Sequence, residues 1–381
     1  MKILVLHSSS DLYGASKVLL QTVGYLVSRN HDVIVILSEE GPLADAFRQK
    51  GINVHIIKLG ILRRKYFNIS GIFNRMVTIR KAKKKLSLLV KEQSIDVIYS
   101  NTTAVLAGAL VAKKKKIYHI WHIHEIITKP GWVLKILGRV VNRYSDQVIV
   151  VSEAVKKNWK KYVSENKIKV VYNGLEYKEY MTADGNEIRK KIDASGNHIL
   201  VGMIGRIHYW KGQEYFLNIA KHLVDKYQNL KFVMVGDVFP GYEYLYDELE
   251  KTKIQLGISH LVVDLGYRRD IPQILSALDV FVLPSILPDP LATVVLEAMA
   301  AGKPVAATAH GGVVEIIQNN ISGVLIPWND AYKASEIIGR LIVDKPLRST
   351  LGRNSVERVL TFFSQEAYFQ NLEKIFSQPL N

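Results

Sequence analysis

Cysteine is absent from the 381 residues, which excludes a disulfide framework and thiolate metal sites and fits a reducing cytoplasm. No run of about 18 uninterrupted apolar residues occurs, so no membrane-spanning helix is expected. The opening MKILVLHSSSDLYGAS is apolar only briefly before Asp11, without the longer apolar region of a secretory signal. Acidic residues are scarce in one half. Residues 1–180 hold 13 Asp+Glu against 31 Lys+Arg, a net of +18, whereas residues 181–381 hold 22 against 20, a net of −2. The overall charge of +16 thus belongs to the first half, which must face something anionic: nucleic acid, an anionic membrane surface or an anionic substrate. No RRM, KH or other nucleic-acid motif appears, so nucleic acid is not the expected partner.

What is present is ordinary globular material, 48% hydrophobic and 23% charged, in a chain too long for one core. Short β-branched runs recur at 2–8, 32–38, 53–59, 96–101, 117–123 and 147–152, with helix-like segments such as 15–29 and 77–92 between them. A second series follows at 198–205, 231–237, 261–266, 279–285, 304–308 and 323–328. Near-continuous apolar strands alternating with helices predict parallel sheets covered on both faces. The expectation is two doubly wound, Rossmann-like α/β domains facing across a cleft, with a boundary near 170–180 and an amphipathic helix at 364–376. Ligands of such sheets bind beyond the carboxyl ends of the strands.

Two loops there carry chemistry. GRIHYWKGQ (205–213) follows a strand and offers Arg206 and Lys211, a fork-shaped and a point-charge donor suited to a diphosphate. Solvated surface cations are the plainer alternative. LPSILPDPLATVVLEAMAAGKPVAAT (283–308) places Asp289 between Pro288 and Pro290, then Ala292 and Thr293 where a helix should begin, then Glu297 inside an apolar surface. Free amides at that helix start can point at an anion, and Ala292 allows close approach. An unpaired carboxylate at 297 would be costly, so both acids are expected to accept hydroxyl hydrogen bonds around a phosphate. The alternative makes Asp289 a helix cap and Glu297 an ion-pair partner.

Asp289 and Glu297 in an Asp-x7-Glu spacing, with AMAAGKPV and HGGVVEII (310–317) after them, resemble the signature of the family-four retaining glycosyltransferases of GT-B fold. YGAS (13–16), VSEAVKKN, VVYNGL, GRIHYWKGQ and LGYRRDIPQILSALDVFVLPS extend the likeness over most of the chain. The resemblance implies that Arg206 and Lys211 hold the diphosphate, Glu297 the ribose hydroxyls, and the amides of Ala292 and Thr293 a phosphate or sugar hydroxyl. Asp289 would hold the donor sugar, and Arg268, by its backbone, would lie beside the base. Asp in place of the usual Glu, and Ala-Thr in place of Gly-Leu, leave the sugar open. The domains expected are 1–175, joined by a C-terminal helix of about 362–381, and 176–361.

In the first domain, Gly14 and Ala15 are expected to open a helix able to hold a phosphate. HIWHIHE contains His119, His122 and His124; with no HExxH and no cysteine, a metal is not expected. The family's His followed by an acid fits His124-Glu125 best, contacting the acceptor or the transferring sugar, with His122 as the competing assignment. ILRRKYFNIS (61–70) mixes cations with Tyr66 and Phe67, and AKKKKIY (112–118) adds four lysines. Ile72, Met76, Ile79, Leu86 and Val90 have helical spacing, broken by Lys83, and are expected to pack on the first sheet with the Lys/Arg face toward anionic lipid.

The function expected is retaining hexosyl transfer from a UDP- or GDP-sugar to a saccharide or lipid-linked saccharide, in bacterial cell-surface polysaccharide or glycolipid synthesis. The nucleotide-sugar is a co-substrate, no cofactor or metal is needed, and the enzyme sits at the cytoplasmic face of the membrane. The alternatives are a nucleotide-sugar 2-epimerase of the same fold and a non-catalytic nucleotide-sugar- or RNA-binding protein.

Overall fold

Strands with no polar face must be covered on both sides, and alternate residues of these strands enter two different cores. In a computed structural model that describes residues 1–12, 14–62, 66, 68–194 and 196–377, the chain forms two compact units, residues 1–174 with 366–381 and residues 175–365. The first holds strands β1 (Lys2–His7), β2 (Asp32–Leu37), β3 (Asn53–Ile56), β4 (Val97–Asn101), β5 (Tyr118–Ile123), β6 (Gln147–Val150) and β7 (Ile168–Val170). They lie in the order β3-β2-β1-β4-β5-β6-β7, all parallel. Ile3, Val5, Val33 and Val35 face helices Gly14–Ser28, Pro42–Gln49 and Gln365–Phe376, while Leu4, Leu6, Ile34 and Ile36 face helices Ile69–Gln93 and Ala107–Lys115.

The second unit holds β8 (Ile199–Ile204), β9 (Leu230–Val235), β10 (Val262–Asp264), β11 (Val280–Leu283), β12 (Val305–Thr308) and β13 (Val324–Ile326). Their order is β10-β9-β8-β11-β12-β13, again parallel. Each sheet reverses its winding once, between β1 and β4 and between β8 and β11. The strand ends at such a reversal are the natural ligand position.

Four expectations are corrected. The third strand stops at Ile56: the Ile57 amide still donates to the Leu37 carbonyl at 2.9 Å, and Lys58–Gly60 run on outside the strand. A strand at Ile168–Val170 went unforeseen: it is an edge strand of three residues, with Lys169 exposed, too short for a period to register. The expected helix 77–92 begins at Ile69, where the Asn68 side chain accepts from the Gly71 amide at 2.7 Å and caps it. Of its apolar stripe, Leu86 and Val90 pack inward, but Ile72 and Met76 do not; with Ile69 and Phe73 they stand exposed. The earlier start carries this first half of the helix away from the sheet core. Tyr13 of YGAS and Arg63, Arg64, Lys65 and Phe67 of the basic stretch lie outside the described residues.

The last helix, Gln365–Phe376, packs in the first unit. Tyr368 donates its hydroxyl to Thr22 Oγ1 at 2.6 Å, since Thr22 spends its own proton on the Val18 carbonyl. Phe369 stacks on Tyr25 at 4.2 Å, and Leu372, Ile375 and Phe376 enter the core. Three such side chains contribute about 1.5–3 kcal/mol each to holding the helix there. No helix among the described residues is long and apolar enough to cross a membrane.

Candidate functional site

At the reversal of the second sheet, two loops touch backbone to backbone. Gly212 ends the loop after β8 with φ +76, and a Cβ there would lie 2.0 Å from the Pro284 carbonyl oxygen of the loop after β11. Only glycine fits both the backbone angle and the space. The Ile286 amide donates to the Trp210 carbonyl at 2.9 Å, zipping the loops together. That contact brings Lys211 to Asp289: Nζ lies 2.7 Å from Oδ1, with both side chains largely withdrawn from solvent. Ser285 donates to the other carboxylate oxygen at 2.6 Å.

A third loop seats the acid from behind. A Cβ on Gly311 would lie 2.3 Å from the Asp289 carbonyl oxygen, and the Gly312 amide donates to that oxygen at 2.8 Å. The Gly-Gly pair of HGGVVEII therefore lets this backbone approach closely. Asp289 caps no helix. Helix Thr293–Ala300 starts at Ala292 with no side chain bonded to its first amides, so its positive end opens beside the Lys211–Asp289 pair.

Glu297 is buried in that helix and accepts from the Tyr180 hydroxyl, whose own pKa is pushed up by burial and by this carboxylate. Arg206 lies 3.6 Å over the Phe239 ring, a stacking contact that holds the guanidinium in place. Gln213 donates to the Arg206 carbonyl at 3.0 Å, tying the loop to the helix it opens. Arg268 directs its side chain to Asp270, with Nε 2.7 Å from Oδ1. A cavity of about 220 Å³ lies among Gly205, Gly236, Tyr246, Lys253, Asp264 and Gly266, two residues before Arg268. A Cβ on Gly236 would lie 1.9 Å from the Gly205 carbonyl oxygen, so these strand ends pack without side chains.

In the first unit, register sets His7 of β1 opposite Asn101 of β4, and Asn101 opposite His122 of β5. His122 is fully buried, bonded through Nδ1 to the Tyr99 hydroxyl at 2.5 Å, and burial lowers its pKa to about 3. His119 is also buried, between the Tyr144 carbonyl and Ser100 Oγ, with its pKa lowered to about 4 by burial. His124, just beyond the strand, is half-buried; burial and the adjacent imidazoles of His122 and His7 hold it neutral. Of the two competing imidazoles, His124 is the accessible one. Glu125 turns back to accept from the Thr103 and His124 amides, each at 3.1 Å, and burial raises its pKa to about 7. Gly14 opens helix Gly14–Ser28 beside the loop after β1, as its sequence suggested.

Lys211, Asp289, Ala292 and Thr293 therefore meet at one strand-end gap, while Gly14 and His124 lie at the strand ends of the other sheet. Among the described residues no three His, Cys, Asp or Glu form a cluster able to hold a metal. Ser285, Tyr180, Phe239 and Asn101 escaped the sequence reading. For Ser285, Phe239 and Asn101 the signal was a polar or aromatic residue closing or following an apolar strand, which spacing alone does not distinguish from a loop; Tyr180, inside helix Lys178–Thr182, gave none.

The pattern of Glycosyltransferase Family 4 matches residues 13–179, and that of Glycosyl transferases group 1 matches residues 184–358. A UDP-Gal:alpha-D-GlcNAc-diphosphoundecaprenol alpha-1,3-galactosyltransferase of Escherichia coli is 25% identical over 93% of this chain and 90% of its own. The capsular polysaccharide biosynthesis glycosyltransferase CapM of Staphylococcus aureus is 26% identical over 90% and 96%. Among solved structures, Anabaena HepE in complex with UDP and glucose superposes with a TM-score of 0.86 at 26% identity, covering 99% of both chains.

Proposed function

Because this chain belongs to the family-four glycosyltransferases, we propose that it transfers a hexosyl group, with retention at the anomeric carbon, from a UDP- or GDP-sugar to a saccharide or lipid-linked saccharide. The observation that carries this reading is the Lys211–Asp289 pair beside the uncapped start of helix Thr293–Ala300. A cation and free amides at one point suit a diphosphate, and a carboxylate there suits sugar hydroxyls. UDP is favoured over GDP because HepE binds UDP and the E. coli relative is named for a UDP-sugar. Arg206, Lys211 and the helix amides stabilise the leaving diphosphate, and Glu297 holds the ribose. The base lies along the backbone near Arg268. Positive charge is thereby supplied without a metal, and chelation should leave turnover unchanged.

The reaction breaks the bond from the anomeric carbon to the diphosphate oxygen and makes one to the acceptor oxygen. The acceptor's hydroxyl proton leaves with the nucleoside diphosphate. His124 contacts the sugar or acceptor and, being neutral, does not place a charge there. The acceptor is placed at a membrane surface. Ile69, Ile72, Phe73 and Met76 are exposed on a helix that also carries Arg80, Lys81, Lys84 and Lys85 in solvent, which suits anionic lipid. Cell-surface polysaccharide or glycolipid synthesis at the inner face of the membrane is the setting proposed.

The test is turnover of UDP- and GDP-sugars with and without a GlcNAc-diphosphopolyprenol acceptor, with product anomers assigned by NMR. Product that requires acceptor and keeps the donor's anomeric configuration supports the proposal. Conversion of the donor without acceptor would identify a 2-epimerase, and binding without conversion a non-catalytic protein.

A further inference from the structure

A line of hydrogen bonds in the first unit ends at His124, and its direction can be worked out. His124 Nε2 lies 2.8 Å from Asn101 Oδ1, Asn101 Nδ2 lies 3.0 Å from His7 Nδ1, and His7 Nε2 lies 3.1 Å from Ser16 Oγ. Ser16 Oγ in turn lies 3.1 Å from Asp11 Oδ1, while Ser9 donates to Asp11 Oδ2 at 2.8 Å. A carboxylate only accepts, so the single proton of Ser16 goes to Asp11. Ser16 must then accept from His7, which therefore carries its proton on Nε2 and a lone pair on Nδ1. That lone pair takes the Asn101 amide proton, which leaves Asn101 Oδ1 facing His124. A carbonyl oxygen only accepts, so His124 Nε2 must be the protonated nitrogen.

Reversing the line would require a protonated Asp11, so the charge on one loop residue sets every bond behind it. Burial supports the same state: His7 is 2% exposed and its pKa is lowered to about 4, so it stays a neutral link rather than an imidazolium. The Nδ1 of His124 has no partner among the described residues, and the ring is half-buried.

We infer that Asp11, Ser16, His7 and Asn101 are positioning residues that hold His124 in its Nε2–H tautomer and present Nδ1 as an acceptor for a substrate hydroxyl. The substrate part rests on the proposed transferase reading; the tautomer does not. Imidazole tautomers are fixed by what the other nitrogen bonds, and the loss of such an anchor lowers turnover by presenting the wrong nitrogen.

Long-range 1H–15N spectra of the full chain labelled at histidine, with peaks assigned through His7→Gln and His124→Gln variants, report each tautomer. The parent should show His124 protonated at Nε2. Asp11→Ala removes the acceptor at the head of the line, and Ser16→Ala cuts it. Both should shift His124 toward an Nδ1–H mixture, with unchanged far-UV circular dichroism and unchanged affinity for UDP. Transfer should fall about tenfold or more in kcat, with donor KM held. A His124 signal that stays at Nε2–H in both variants would overturn the relay. A tautomer shift with unaltered kcat would leave the relay standing and remove His124 from the proposed reaction.

Discussion

Lys211 Nζ and Asp289 Oδ1 meet at 2.7 Å although 78 residues separate them in the chain. The cation comes from the loop after β8 and the acid from the loop after β11, the two strands between which the sheet reverses. On the proposed reading, an arriving diphosphate would compete with Asp289 for the ammonium and free the carboxylate for sugar hydroxyls, making donor binding an exchange of partners.

Replacing Lys211 by Ala should weaken UDP binding by about 1.5–3 kcal/mol, a loss of roughly tenfold to a hundredfold, because a charge-assisted bond goes and Asp289 is left uncompensated. Arg206→Ala should fall in the same range. The double variant Lys211→Ala with Asp289→Ala should bind UDP better than Lys211→Ala alone. Calorimetric titration with UDP decides, and equal affinities in parent and single variants would move the site elsewhere.

Glu297 is proposed to hold the ribose, and it lies buried beside Tyr180. Glu297→Ala should raise the donor KM. A dideoxyribose analogue of the nucleotide should bind the parent less tightly than UDP does, yet show no such deficit in the variant. A deficit of the same size in both proteins would place the ribose away from residue 297.

Acid should weaken the first unit. Burial holds His7 and His119 at about 4 and His122 at about 3, against 6.5 for an unfolded imidazole. Below pH 6.5 the unfolded chain binds more protons than the folded one, so stability falls as pH drops toward 4. Glu125, raised from 4.5 to about 7, acts in the opposite sense between those values, because its folded form keeps the proton. Three imidazoles outweigh one carboxyl. Calorimetric melting temperatures should drop between pH 7 and pH 5, and drop more steeply in Glu125→Gln, which lacks the opposing group. A flat profile would show that these rings take up protons as readily in the fold as in the unfolded chain.

Helix Ile69–Gln93 should dock on anionic vesicles through two separable contributions. Replacing Lys83, Lys84 and Lys85 by Gln should cost up to a few kcal/mol of binding, about 1 for each cation, with the remaining attraction still screened by salt. Ile72→Ser with Phe73→Ser should weaken the binding that survives at high salt. Sedimentation with phosphatidylglycerol vesicles at two salt concentrations measures both, and transfer to a short soluble acceptor should persist in each. Variants that sediment like the parent would make this a solvated helix face.

The period of apolar residues revealed both sheets, because a strand buried on two faces leaves an unbroken β-branched run such as DVIVIL or FVMV. The Lys211 and Asp289 loops were legible for the same reason: each follows such a run directly. The partners of those residues were not. Tyr180 reaches Glu297 across more than a hundred residues, and Asn101 reaches His7 through sheet register, contacts that no local spacing encodes. Ile72 and Met76 were legible as helical by their spacing but not as exposed, because spacing alone does not say which residues of the helix reach the core.

The placement of helix Gln365–Phe376 in the first unit also sets an order of events during synthesis. Residues 1–174 emerge first, yet the surface that receives Tyr368, Leu372 and Phe376 stays bare until those residues follow. The second unit, continuous from 175 to 365, has every residue it needs before that moment. The amino-terminal half thus ripens last, its apolar seam waiting for a cover that is made only after the whole of the second unit.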